Sequence, residues 1–223
     1  MDLPEVMRTT FAAREFTDAP VSNETIYKIL DNARFGPSGG NRQGWKVIVI
    51  RDQTTREALV EHIGPCIKRY IAQTMAGESP WNTIHPTKLS PETIENTKVP
   101  SMFIDTVMKA PVLLLVCVDL SLVASFDSEL ERVGVISGAS IYPFVWNILL
   151  GARNEGLGGT LTTFVAHQEP KVQQLLGLPD HFAVSALLPV GQPVKQLTKL
   201  KRKSVEEFAV LEKWDGETLT QSS

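Results

Sequence analysis

The densest set of side chains able to do chemistry lies between Phe35 and Trp45, where the chain reads Phe-Gly-Pro-Ser-Gly-Gly-Asn-Arg-Gln-Gly-Trp. Gly36, Gly39, Gly40 and Gly44 permit positive φ and close backbone approach, while Pro37 fixes its own φ. Such a loop can offer backbone N–H groups, the Ser38 hydroxyl and the Asn41 amide to a flat polar ligand. The plainer reading is a helix-to-strand turn. Other chemistries find no footing. There is no phosphate-binding G-x-x-x-x-G-K-[ST], no G-x-S-x-G elbow and no H-E-x-x-H or cysteine–histidine spacing for a metal. His62, His85, His167 and His181 are scattered, and the glycines at 151–159 follow a helix pattern, so they are not a dinucleotide fingerprint. Hydrolase and phosphotransferase functions are disfavoured.

The elements around the loop follow from periodicity. Ser22 caps a helix over 23–35 with Glu24 in its first turn and Ile26, Ile29, Leu30 and Ala33 on one face. Trp45 to Ile50 reads as a buried strand. Residues 5–16 read as a first helix that stops at Thr17-Asp18-Ala19-Pro20. Thr54 or Thr55 caps a helix to Ile63, which Gly64-Pro65 breaks, and a shorter helix runs from Cys66 to Ala76. Prolines 80, 86, 91 and 100 mark 77–101 as a lid or binding loop. Within it, Trp81 and His85 either roof a pocket or anchor the loop onto its own domain.

Pro111 to Leu120 is a continuous apolar run, as a central strand requires. A helix is expected from Ser128 to Glu155, kinked at Pro143 and apolar all round from Ile136 to Leu150, so it must be buried in the domain or across a subunit interface. An obligate dimer built on it is the expectation. Thr160 to Val165 reads as a third strand, Glu169 to Leu176 as a helix, Phe182 to Val190 as a fourth strand, and Val205 to Leu211 as a last helical piece. Strands alternating with helices in this way give an α/β or α+β sandwich.

The 223 residues fit one large domain, and the net charge of -3 gives no general attraction to nucleic acid or to an anionic membrane. No apolar run reaches spanning length and no leader pattern opens the chain, so the expected location is cytoplasmic. The two cysteines, Cys66 and Cys117, suggest neither a disulfide framework nor a zinc site.

Four segments together resemble the nitroreductase-like flavoprotein family: Arg14-Glu15-Phe16; Pro37-Ser38-Gly39-Gly40-Asn41-Arg42-Gln43-Gly44-Trp45; Ala152-Arg153-Asn154-Glu155-Gly156-Leu157-Gly158-Gly159; and Lys201-Arg202. The resemblance implies an α+β fold with a central mixed sheet flanked by helices, an intertwined homodimer, and a single domain over 1–223 with 77–107 as a lid or insertion. It implies FMN, bound noncovalently at the dimer interface. Arg14 looks like the cation beside the N1/C2 carbonyl edge, where negative charge settles on reduction; the alternative is a surface ion pair with Glu15 or Asp18. Pro37, Ser38, Gly39, Asn41 and Gln43 would line the ring and ribityl chain, and Gly158 and Gly159 would admit the N5 side. Lys201 and Arg202 look like phosphate partners. One departure stands out: the family's paired arginines and serine fall on Thr10, Phe11 and Ala12, so Arg8 and the C-terminal cations are the candidates to replace them.

The activity implied is an FMN-dependent oxidoreductase working by a ping-pong cycle, in which NAD(P)H gives hydride to flavin N5 and an electron-poor acceptor such as a nitroaromatic or quinone then takes the electrons. No side-chain acid or base is required, so no catalytic residue is named. Relatives that dehalogenate or desaturate are compatible with the same features. The rival is a flavin-binding carrier or sensor without turnover.

Overall fold

The apolar run after Pro111 becomes the central strand of a four-stranded sheet, buried on both faces along nearly its whole length. In this computed structural model, which describes residues 1–221, the elements in chain order are α1 Leu3–Thr9, α2 Asn23–Ala33, β1 Trp45–Ile50, α3 Gln53–Met75, α4 Pro91–Glu95, α5 Ser101–Lys109, β2 Val112–Asp119, α6 Tyr142–Asn154, β3 Gly158–Gly159, α7 Glu169–Leu176 and β4 Phe182–Gly191. The strand order is β1-β2-β4-β3, and neighbouring strands pair antiparallel. The parallel component expected of a mixed sheet is a single bridge, Ala12 to Gly159.

Side chains alternate across β2, and each set meets its own helical layer. Val112, Leu114, Val116 and Val118 pack with Ile26, Ile29 and Ala33 of α2 and with Phe144, Val145 and Ile148 of α6. Leu113, Leu115 and Cys117 face the other way, onto Leu59, Ile63 and Ile67 of α3, Val107 of α5 and Val172 of α7. This two-layer cover is the reason the run reads as continuously apolar. Burial pushes both thiols, Cys66 and Cys117, up to about 11, so they serve as packing groups rather than nucleophiles.

Several expected elements differ, each for a physical reason. The first helix ends at Thr9, seven residues short of the expected stop, because 10–16 leaves to bridge Gly159 through Ala12 and Pro193 through Phe16. Asp52 rather than Thr54 or Thr55 caps α3, accepting from the Thr55 N–H at 2.8 Å. Pro65 does not break α3; it lies on the exposed side, where the carbonyl it leaves without a donor can be hydrated. Residues 128–141 form no long helix, and α6 starts at Tyr142 with Pro143 in its first turn, where proline fits without a kink. The third strand is Gly158–Gly159 alone, residues 164–168 being a short 3-10 turn. β1 is an edge strand, only partly buried along its length. Only 205–207 of the last helical piece is helical, as one 3-10 turn.

The lid region is part structured, with α4 and α5 inside it. Glu78 gathers its first half, accepting from the Thr87 hydroxyl at 2.6 Å, the Lys88 N–H at 2.8 Å and Gln73 Nε2 at 3.1 Å. Trp81 lies under the Arg69 guanidinium, 4.0 Å from its ring centroid, and edge-on to His167 at 4.9 Å. Trp81 therefore anchors the loop onto its own domain.

Asp127 organises the connection from β2 to α6. Its carboxylate is 4% exposed and accepts from the Val135 N–H at 2.7 Å and Arg132 Nη1 at 2.7 Å. The backbone N–H of Val135, then Arg132, hold its pKa down to about 2. A carboxyl with a depressed folded pKa contributes stability that is present above its ordinary value near 3.8 and disappears as pH falls toward 2. Unfolding midpoints of the wild type should therefore exceed those of Asp127→Asn above about pH 4 and converge with them near pH 2. A constant difference across that window contradicts this role.

Candidate functional site

Two groups of candidate residues stand at opposite ends of the sheet. The 10–16 segment crosses the start of β2: Ala13 N–H donates to Gly159 O at 3.0 Å, Glu15 O accepts from Val194 N–H at 3.1 Å, and Phe16 and Pro111 both crowd Gly191. The glycine loop lies where β2 ends, with Gly44 O accepting from Asp119 N–H at 2.8 Å. Seven residue steps of strand separate these ends, roughly 23 Å. Arg14 and the Pro37–Gln43 loop of one protomer therefore do not share a pocket.

Among the described residues, Arg14 forms no ion pair with a carboxylate. Its side chain makes one hydrogen bond, Nη1 to Ala12 O at 3.3 Å, and among the described residues it forms no ion pair with Glu15 or Asp18. It borders a cleft of about 130 Å³ whose walls include Thr106, Thr160 and Thr162. The floor is an aromatic trio, with Tyr70 5.6 Å from Phe164 and 6.3 Å from Phe103, and Phe103 6.0 Å from Phe164. Sequence reading missed this trio, because each ring sits alone at an ordinary core position and only the tertiary fold brings α3, α5 and the 160–168 segment together.

Gly158 and Gly159 fix the place of Arg14. A methyl on Gly158 would come within 3.0 Å of Ala13 Cβ, and one on Gly159 within 2.8 Å of Pro189 O. Gly158 without a side chain lets Ala13, next to Arg14, lie flat on the sheet end, and Gly159 packs flat against β4.

The glycine loop is held open by its own hydrogen bonds. Gly40, Asn41 and Gln43 take φ of 60°, 54° and 52°, a left-handed path that curls the loop outward. Ser38 Oγ accepts from Gln43 N–H at 3.0 Å, Ser140 Oγ accepts from Gly39 N–H at 3.1 Å, and Gln43 Nε2 donates to Asn41 Oδ1 at 3.1 Å. Among the described residues, the Ser38 hydroxyl and the Asn41 Nδ2 donate no hydrogen bond to protein, and the loop around them is largely exposed. Pro37 leads in from Gly36, which passes so close to the Phe144 N–H that a Cβ would meet it at 2.9 Å. Lys201 and Arg202 are exposed on an irregular segment, Arg202 Nη1 donating only to Lys201 O at 2.8 Å.

Comparison with known proteins bears on this arrangement. The Nitroreductase family matches residues 7–192, more than four-fifths of the chain. The chain belongs to the nitroreductase family. Membership makes it an oxidoreductase of a flavin-dependent family. Among similar nitroreductase-family proteins, nitrobenzene nitroreductase of Ectopseudomonas oleovorans is 25% identical, covering 92% of this chain and 95% of its own. Iodotyrosine deiodinase 1 of Pongo abelii is 26% identical, covering 92% of this chain and 67% of its own. In fold, the chain resembles a crystal structure of iodotyrosine deiodinase bound to FMN and 3-iodo-L-tyrosine, with a TM-score of 0.66 at 20% identity, covering 96% of this chain and 99% of that one. Among the described residues no helix is long and apolar enough to cross a membrane.

Proposed function

We propose that the protein is a cytoplasmic FMN-dependent oxidoreductase that uses NAD(P)H to reduce an electron-poor aromatic acceptor, and that it works as a homodimer. The observation that carries this reading is the separation of Arg14 from the glycine loop. Each is rich in unsatisfied polar groups of the kind a flavin takes, yet one protomer keeps them a strand length apart. A two-fold partner brings the Pro37–Gln43 loop of one protomer to the Arg14 end of the other and completes two equivalent sites. α6 supports this pairing, since Tyr142 and Trp146 are 41% and 43% exposed on a helix whose other face, Phe144, Val145, Ile148 and Leu149, is buried in the core, and a second copy would cover them.

The residues fit the group. Bound there, FMN supplies the two-electron relay between nicotinamide and acceptor. Arg14 would hold a fixed positive charge at the edge where negative charge accumulates on reduction, and among the described residues it forms no ion pair that would cancel it. Ser38, Asn41 and Gln43 orient the ring through hydrogen bonds, with Pro37 and Gly39 giving the backbone close approach. Gly158 and Gly159 would let the backbone approach the N5 side, and Lys201 and Arg202, on an exposed irregular segment, would add cations for the phosphate. No proton need be moved by a side chain, so the protein acts by orientation, electrostatics and exclusion of water. The reading keeps 1–223 as one domain with 77–107 as a lid or insertion.

Reductive dehalogenation is the second reading for the acceptor, favoured by the likeness to iodotyrosine deiodinase in both sequence and fold. The test is to supply FMN, remove the excess, and record the visible spectrum anaerobically before and after NADH or NADPH. Retained flavin that bleaches, and recolours with a nitroaromatic, quinone or halophenol, supports the oxidoreductase and sorts its acceptors. Retained flavin that neither nicotinamide bleaches favours a carrier and contradicts the proposal.

A further inference from the structure

Thr10, Phe11 and Ala12 leave the flavin phosphate without its usual helix-borne cations, and a different guanidinium stands beside them. Arg153, in the last turn of α6, donates from Nε to Thr9 Oγ1 at 2.8 Å. Thr9 is itself fixed: its hydroxyl donates to Glu5 O at 2.7 Å and its carbonyl accepts from Gln196 Nε2 at 2.9 Å. Arg153 is half-buried, and among the described residues no carboxylate pairs with it. Its two Nη groups make no hydrogen bond to protein and are not sealed from solvent.

We infer that Arg153, oriented by Thr9, is the principal phosphate-binding residue of this chain, taking the dianionic phosphate monoester of the flavin on its outward Nη groups. The inference rests on the flavin reading above. Three considerations favour Arg153 over the other cations nearby. Its Nε is already anchored, so little rotamer freedom is lost on binding, whereas Lys201 and Arg202 lie on an exposed irregular segment and must be ordered. A guanidinium with one edge occupied still presents a two-pronged edge, the geometry that suits phosphate oxygens. Thr9 directly precedes the substituted positions, and five residues of chain then reach Arg14, a span of at most about 17 Å. Lys195 and Lys201 add a diffuse positive field along the same C-terminal segment.

The test compares FMN with riboflavin, which lacks the phosphate, by fluorescence titration of the full-length protein. The wild type should prefer FMN. Arg153→Gln keeps a donor for Thr9 without the charge; it should weaken FMN binding about 10- to 100-fold while riboflavin binding changes little. Arg153→Lys should recover part of the FMN preference, and Thr9→Val should lose part of it with the charge still present. Equal losses for both flavins, or unchanged FMN affinity in Arg153→Gln, would overturn the assignment. If the glutamine variant fails to fold, the Thr9→Val and Arg153→Lys titrations decide it by the same FMN-to-riboflavin ratio. A wild type that binds riboflavin as tightly as FMN overturns the phosphate site and leaves the flavin reading standing. A wild type that binds neither overturns both.

Discussion

Arg56→Met should destabilise the protein by about 2–4 kcal/mol, because removing the donor leaves buried carbonyls unpaired at about 1–3 kcal/mol each. Arg56 is 4% exposed and among the described residues has no anionic partner. It donates instead to backbone carbonyls: Nη1 to Ala110 O at 2.6 Å, Val107 O at 3.1 Å and Met108 O at 3.3 Å, and Nη2 to Pro111 O at 3.2 Å and Ile50 O at 3.4 Å. These are the free carbonyls at the end of α5, the entry to β2 and the end of β1. One guanidinium thus joins the lid's second helix to the sheet at the point where the chain turns into its central strand. Methionine keeps the apolar stem but leaves those acceptors without donors. Denaturant unfolding measures the effect, and a loss below about 1 kcal/mol would show that water replaces the guanidinium without cost. Desolvation lowers the pKa of this arginine, yet an arginine stays charged at any pH where the fold survives.

Arg14→Ala should lower the midpoint potential of bound flavin by roughly 30–60 mV, equivalent to the loss of about 1.4–2.8 kcal/mol of stabilisation of the reduced form. The basis is the isolation of the guanidinium: a cation already paired with Glu15 or Asp18 would have little field left to give. Arg14→Lys should recover part of the shift, since charge survives but the planar fork does not. Spectroelectrochemical titration reads this directly. An unchanged potential would remove Arg14 from the electrostatics of the site and reduce it to a wall residue.

The elements legible in sequence are those whose structure is decided locally. α2 follows from Ser22, which accepts from the Thr25 N–H at 3.0 Å, and from its apolar stripe; β2 and β4 follow from runs of apolar residues. The 10–16 segment was not legible as extended chain, because its conformation comes from bonds to Gly159, Gln192 and Val194, nearly the whole length of the protein away. Its mixture of apolar residues with Arg14 and Glu15 fits a helix equally well until those partners are known. Pro65 and Pro143 show the same limit in two forms. A proline's effect depends on which side of the helix it faces and how far from the start it stands, and neither can be read from the residue type.

The site divides along the same line. The glycine loop was legible because four glycines and a proline within eleven residues leave few alternatives to an exposed polar turn. Arg14 was a candidate from its motif, and the structure adds that among the described residues it forms no ion pair. The aromatic trio and the Thr9–Arg153 contact were not legible, being made by residues up to 144 positions apart. Arg153 lay inside a quoted motif, but nothing in the order of residues says that its side chain reaches back to α1.

The measurement that tests the composite site most directly is subunit complementation. Arg14→Ala and Ser38→Ala/Asn41→Ala proteins, each impaired as a homodimer, are unfolded, mixed in equal amounts, refolded and assayed for NAD(P)H-dependent flavin reduction. If each site takes Arg14 from one protomer and the loop from the other, half of the dimers are hybrids and each hybrid holds one intact site. Activity should then return to about a quarter of the wild-type value. Activity that stays at the average of the two parents would mean that Arg14 and the loop serve the same site from one chain, or different sites altogether, and would contradict the shared flavin site.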